Sequence, residues 1–492
     1  MNIRLLATLF VAFGLFFSAC KDEGTTIFDA PSVTAPSGVI SVEAGATGLS
    51  IDFSVSIDPD VTATYQAAGS GVTISNSSGS VSGSTITINF DAGNAAGAGS
   101  ITVTVTDSEG KSDAATAVLD ISDESIVRVT SNITADATWS ADKVYILGGR
   151  ISVVDGVTLT IEPGAIIKGE AGTGPNATAL LIARGAKLMA EGTAAAPIIF
   201  TSVADELTSD DIKNGNFASP NLDPDISGLW GGLIVLGKAK ISASNDDGEL
   251  SEVQIEGIPT SDPNGLYGGN EDGDNSGVLK YISIRHGGSN IGEGNEINGL
   301  TLGGVGSGTV IENIEVVANQ DDGIEWFGGT VNVKNVVVWN AGDDGIDTDQ
   351  SWAGTLDNFV VVTPSGSCFE LDGPEGTYVA RHTIQNGTVV AVTSSRKIGG
   401  SLIDVDSSTP VDMKNIHFVA PLEGEGLTVT EDEVANTTFE NVTFAVSAAV
   451  LPSLMEQGGA VPAGISAGGS PQANVSVLSW TWAAQAGGLD GL

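Results

Sequence analysis

An asparagine followed by a short apolar strand recurs through the second half of this sequence. No other feature limits the chain's folding options as strongly. It stands at Asn313 (Asn-Ile-Glu-Val-Val), Asn335 (Asn-Val-Val-Val-Trp), Asn358 (Asn-Phe-Val-Val-Val), Asn386, Asn415 (Asn-Ile-His-Phe-Val) and Asn441 (Asn-Val-Thr-Phe-Ala), in steps of 22, 23, 28, 29 and 26 residues. A second column, Leu300, Ile324, Ile346, Phe369, Leu402 and Leu427, advances by 24, 22, 23, 33 and 25. Two strand columns moving together by about two dozen residues describe successive coils of a right-handed parallel β-helix, in which each coil buries its apolar side against the next. Helical repeats of similar length would need a 3.6-residue period and less Gly and Val. An asparagine at a fixed corner can stack amide on amide and tolerates a left-handed turn. These residues are therefore read as structural.

Earlier coils are legible as apolar strands at Val144 to Leu147, Val157 to Ile161, Ala179 to Ala183 and Ile198 to Thr201, with Gly-centred corners between them. The 65 glycines supply such corners. Residues 31–122 read differently, as short alternating strands at Val39 to Val42, Leu49 to Ile57, Gly71 to Ser75, Thr85 to Phe90, Ile101 to Thr106 and Ala117 to Ile121. That spacing predicts an immunoglobulin-like β-sandwich, without the Cys and Trp core of antibody domains. The fold class is thus all-β, a sandwich at 31–122 followed by a β-helix at 125–492. The helix carries an acidic insertion near 205–274, and a tail around Trp480 and Trp482 is expected to cap the last coil.

The first residues give an address. Arg4 precedes an apolar run from Leu5 to Phe17, and Ser18-Ala19-Cys20 follows. The run is too short to span a bilayer comfortably. It resembles a bacterial lipobox, which implies a signal peptide at 1–19, a lipid on Cys20 and a tether over 20–30. Lys21-Asp22-Glu23 is similar to the acidic export tag of Bacteroidetes-type surface lipoproteins, which implies an outer-membrane anchor facing the cell exterior. With Cys20 lipidated, Cys368 is left without a partner and is read as a small buried hydrophobe.

Nineteen Lys and Arg stand against 61 Asp and Glu, a net charge of -42. Nucleic acid is excluded as a partner, because its phosphates need clustered bases. The acids concentrate at repeated corners: Asp321-Asp322-Gly-Ile-Glu325, then Asp343-Asp344-Gly-Ile-Asp347-Thr-Asp349, then Cys368-Phe-Glu370-Leu-Asp372. If Ile324, Ile346 and Phe369 point inward, alternation stacks Glu325, Asp347 and Glu370 outward in one column and Asp349 and Asp372 in another. Neighbours about 5 Å apart repel by roughly 0.8 kcal/mol even in water. A plain solvated face, a Ca²⁺ site using Glu325, Asp347, Asp349, Glu370 and Asp372, and a catalytic set drawn from Asp322, Asp344, Asp347 and Glu370 remain open. Trp326, Trp339, Trp352 and Tyr267 are the candidate sugar platforms, although alternation turns Trp326 inward.

From about Ser125 onward the corners Asp155-Gly156 and Arg184-Gly185 and the strand Trp230-Gly-Gly-Leu-Ile-Val-Leu-Gly237 complete a pattern that resembles the pectin-lyase-like β-helix domains of Bacteroidetes surface lipoproteins. The resemblance implies the architecture and little about a reaction. The Asp-Asp-Gly-Ile corners look like a segment of polygalacturonase-type hydrolases, but the Gly-His-Gly and Arg-Ile-Lys companions of those enzymes are absent. Arg285-His286 and Arg396-Lys397 replace them poorly, and a lyase base would have to come from Arg381 or Arg396. The expectation is a non-catalytic surface lipoprotein that binds extracellular glycan or a partner protein. A polysaccharide lyase or glycoside hydrolase, and a passive stalk or adhesin, are the alternatives.

Overall fold

A computed structural model describes residues 28–122, 126–290, 297–406, 409–420, 422, 436–456 and 459–492. Cys20, the signal segment, most of the tether and Leu427 lie outside the described residues. The chain divides into two compact units, one ending at Glu124 and one beginning at Ser125.

In the first unit a four-stranded and a five-stranded sheet share one apolar core built from Phe53, Ile88, Phe90, Val103, Val105 and Leu119. Alternation produces it: Leu49–Ser56 and Thr85–Ala92 bury every second side chain. Three strands escape the sequence reading, Ser32–Thr34, Ala63–Ser70 and Ser78–Ser80. Ala63–Ser70 (ATYQAAGS) is built from residues with little β preference and is a strand because it pairs along its whole length with Gly97–Asp107.

The second unit is a parallel β-helix, whose coils connect with the right-handed sense that parallel crossovers take. Each coil has three sides. Among the described residues sheet I holds eight strands, from Arg150–Val153 through Leu300–Gly303, Ile324–Phe327, Ile346–Asp349 and Phe369–Leu371 to Asp404–Val405. Sheets II and III are the two arms of one bent sheet, and from Gly277–Arg285 onward single strands such as Val310–Val317 and Val333–Trp339 run along both.

The bend is the asparagine column. Asn313, Asn335, Asn358, Asn386, Asn415 and Asn441 all have φ between 51° and 60°. Asn335 donates its amide to Asn313 at 3.1 Å, Asn358 to Asn335 at 2.9 Å, Asn415 to Asn386 at 3.1 Å and Asn441 to Asn415 at 3.0 Å. The stack breaks once. Asn386 donates to Asp357 instead, and the Asn358 carbonyl oxygen accepts the backbone N–H of Asn474 from the C-terminal segment.

The interior is a column of Leu180, Leu233, Leu300, Ile324, Ile346 and Phe369 facing the arms through Val316, Val338 and Val361. The pairing of Glu370 with Asp404 makes Ile403 the partner of Phe369, one residue beyond the expected Leu402. The longer coil there hid the shift. Nor does the tail cap the last coil: Trp482 lies on Val317 and Ala318, and Leu478, Ala483 and Leu489 lie on Val337, Val360 and Val362, on the outer face of sheet III. At the last coils the core is filled instead by Leu451, Leu454 and Met455 of a 3₁₀ turn.

Replacing Asn335 by Ala removes two amide bonds and leaves at φ 59° a residue without the polar side chain that lets Asn tolerate the left-handed region. Asn335→Ala is expected to destabilise the unit by about 2–4 kcal/mol, and Asn335→Gly by less because glycine carries no left-handed strain. Urea denaturation midpoints for the two variants measure the difference.

Candidate functional site

The outward residues of sheet I form the acidic column, and its register is now fixed by pairing. Thr301, Glu325, Asp347, Glu370 and Asp404 stand in line across five coils. Before three of these strands an Asx-Gly-aliphatic corner adds a second line of Asn298, Asp322 and Asp344. Asp322 accepts the Asp344 backbone N–H at 2.9 Å, and Asp344 accepts that of Ser367. Each corner carboxylate thus ties down the next coil. Asn298 donates to Glu325. Sequence reading missed Asn298 and Asp404, although the repeated Asn/Asp-Gly-Leu/Ile pattern carries the first.

This is not a solvated face. Asp322 and Glu325 are 7% exposed, Asp344 4% and Asp347 8%. The acidic insertion packs beside it: Ile241, Ala243, Ile255, Ile258 and Tyr267 lie against Leu181, Ile234 and Leu236, outward side chains of the coils before the column, and against Phe327, two residues after Glu325. The loop after Leu371 closes toward it: Gly376 donates to Ser242, and Gln350 bridges Tyr267 at 2.9 Å and Glu375 at 3.0 Å. None of Glu375, Gln350 or Ser242 carried a sequence signal, because the loops that bring them together are far apart in the chain.

Burial without a counter-charge sets the electrostatics. Desolvation first, and the neighbouring acids second, push the carboxyls of Asp322, Glu325 and Asp347 well above the usual range. The same causes raise Asp349 to about 7 and Asp372 to about 6. Glu370 rises to about 9, chiefly through a hydrogen bond shared with Asp344 and then through burial. Among the described residues no Lys, Arg or His forms an ion pair with any of these six. Arg381 pairs with Asp412, Arg285 with Glu315, and Arg396 bonds Ser365. None is brought round to serve as a base.

The same fold handles charge differently elsewhere. On sheet II the outward column reads Lys280, Glu312, Lys334, Asp357, Gln385, Lys414, Glu440. There, acids alternate with bases or an amide, and Lys280 meets Glu312 at 3.7 Å. On sheet I every ionisable member of the column from Glu325 to Asp404 is an acid.

Carboxylate oxygens of Asp322, Glu325 and Asp347 lie within 4.8 Å of one another, as do those of Asp321, Asp322 and Asp343. In the first group Oδ1 of Asp347 is buried with no hydrogen-bond donor, and Oδ1 of Asn298 beside it is likewise unpartnered. Hard, unsatisfied oxygens at that spacing fit Ca²⁺. Asp349, Glu370 and Asp372 stand farther along the row and border this group.

The aromatic candidates separate. Trp326 and Trp352 stack on each other at 4.7 Å inside the coils, and Tyr267 is buried where the insertion packs on the coils. None offers a face to a ligand, because inward alternation and this packing claim them. Trp339 alone keeps an open edge, on sheet III and away from the carboxylates. Cys368 is fully buried, its thiol pushed up by burial, as expected of a core residue.

Coils, asparagine bend and acidic face together define a parallel β-helix protein of the pectin-lyase type. The chain belongs to the pectate-lyase-like beta helix domain family, whose model matches residues 131–215 and 217–458. Among solved structures it is similar to the family 28 exopolygalacturonase of Yersinia enterocolitica, at 12% identity over 90% of this chain and 100% of that one, with a TM-score of 0.20. It is also similar to the catalytic unit of the GH87 α-1,3-glucanase of Streptomyces thermodiastaticus strain HF3-3, at 11% identity over 80% and 79% of the two chains, with a TM-score of 0.23. At these TM-scores neither likeness carries an argument about activity. No curated protein matches the chain.

Raised carboxyl pKa values make stability fall as pH rises, since the folded state keeps protons the unfolded chain has released. The window opens near pH 4, about where free carboxyls titrate, and runs through Asp372 and Asp349 to Glu370 at about 9. Asp349→Asn is therefore expected to raise the melting temperature by a few degrees at about pH 8 and to leave it unchanged at about pH 4. Thermal unfolding of both proteins across that range reads the sign directly.

Proposed function

We propose that this chain is a lipid-anchored protein of the outer membrane that faces the cell exterior and binds extracellular glycan through the acidic face of sheet I, without turning it over. One observation carries the reading: an outward column of buried carboxylates that no Lys, Arg or His among the described residues neutralises, on a fold that alternates charge in its other column. A ligand that brings Ca²⁺, or shares it, would relieve that repulsion. Asp322, Glu325 and Asp347 hold the ion in this reading, and sugar hydroxyls or carboxylates complete its shell. Membership of a pectate-lyase-like family supports the choice of glycan as the ligand. Calcium bridging also answers the objection that so acidic a protein would repel an acidic polysaccharide.

A glycoside hydrolase is the second reading, and the Glu370–Asp344 pair favours it. An acid held protonated to about pH 9 beside a second carboxyl has the form of a general acid with its partner. Among the described residues no Lys, Arg or His pairs with the row, which counts against a lyase.

Retention of the protein on immobilised neutral and acidic polysaccharides, with Ca²⁺ and with chelator, tests the proposal together with an assay for reducing ends and unsaturated products. Retention that needs Ca²⁺, weakens about tenfold or more in Asp347→Asn and releases no product is the expected result. Product release that stops in Glu370→Gln moves the protein to the second reading. A melting temperature unmoved by chelator counts against calcium. Fatty-acid labelling that disappears in Cys20→Ser, with the protein then found in the soluble fraction, is expected of the anchor.

A further inference from the structure

Sheet III has an outward column that a solvent-facing sheet should not have: Val317, Trp339, Val362 and Val390, in register on successive coils. The C-terminal segment covers part of it. Trp482 lies over Val317 and meets the edge of Trp339 at 5.8 Å and 78°, while the Ala483 N–H donates to buried Glu315 at 2.9 Å. An open groove of about 700 Å³ remains between the end of this segment, the sheet and the loop at Asp223 to Asp225. Trp339, Val362 and Val390 form its floor, and Asp225, Asp490 and Arg396 stand on its rim. The walls are fastened: Asn340 holds the loop through the Pro224 carbonyl at 3.0 Å and accepts from Thr363 at 2.7 Å.

We propose that this groove is a second saccharide site, taking one or two rings of a neutral glycan independently of Ca²⁺. A sugar ring has an apolar face of C–H groups and an edge of hydroxyls. Half-buried Trp339 and Val390 supply the apolar counterpart, and carboxylates and a guanidinium around them supply acceptors and donors for the edge. The volume is of the size that ligand pockets take, about 300–1,000 Å³. Asp223, Asp225 and Asp490 outnumber Arg396, and this charge balance selects against an anionic sugar. A peptide strand finds no template there, because the strands of sheet III that form the floor are paired with neighbours on both sides.

The full-length protein is titrated in chelator with cellohexaose, xylohexaose, mannohexaose and hexagalacturonate, by calorimetry and tryptophan fluorescence. The proposal expects at least one neutral hexasaccharide to bind, with affinity lowered about tenfold or more by Trp339→Ala and by Asp225→Asn and unchanged by Asp347→Asn. Asp225 is exposed on the rim, so its variant tests the site even if loss of the indole loosens the tail. No binding by any neutral probe, or binding indifferent to every one of these variants that folds, overturns the proposal. The groove is then only the seam left where the tail crosses the sheet. Binding lost in Asp347→Asn, or binding by hexagalacturonate alone, also overturns it while leaving the carboxylate-row reading intact.

Discussion

Parallel pairing between coils governs everything else in the β-helix. Its ladder sets each residue about 4.8 Å from its counterparts on the coils before and after, so a side chain is judged first against copies of its own column. A column that satisfies itself becomes a spine. The asparagines do so by passing an amide from coil to coil at φ values that few other residues accept. Apolar columns do so by stacking rings and branches, as Phe418 does on Phe444 at 4.5 Å. An ionised column cannot satisfy itself, and the two ionised columns of this protein show the two outcomes. One alternates sign, and the other gathers acids in a buried row and raises their pKa values.

Burial makes the acidic column a site rather than a surface. In water the mutual repulsion of Glu325 and Asp347 would be screened within about 8–10 Å at ordinary salt. Both are buried, and the same charges become costly. The insertion packs beside them by ordinary hydrophobic contact, Ile255, Ile258 and Tyr267 against Ile234 and Leu236, and it also brings the charge of Glu256 to bear on Glu325.

Much of this was legible in the sequence. The asparagine column, the inward set from Leu300 to Phe369 and the alignment of Glu325, Asp347 and Glu370 follow from coil length and alternation alone, and the pairing matches them. The misses share a cause. Burial of the carboxylates, the loss of Trp352 and Tyr267 as ligand faces, the Gln350–Glu375 bridge and the sideways course of the tail all depend on loops whose conformation no repeat dictates. A register error entered at Leu402 for the same reason, since a loop lengthened that coil. Repetition encodes the scaffold, while the excursions from it encode the site.

The break in the asparagine stack has a consequence for the order of events in synthesis. Coils of such a helix can add one after another as the chain emerges, each needing only its predecessor. Asn358 breaks that rule, because its carbonyl oxygen waits for the N–H of Asn474, 116 residues later, and the apolar stripe on sheet III waits for Leu478 and Trp482. The growing helix therefore carries an open seam along its flank until the segment from Asn474 to Leu489 arrives, and that segment works as a closing seal rather than as one more coil.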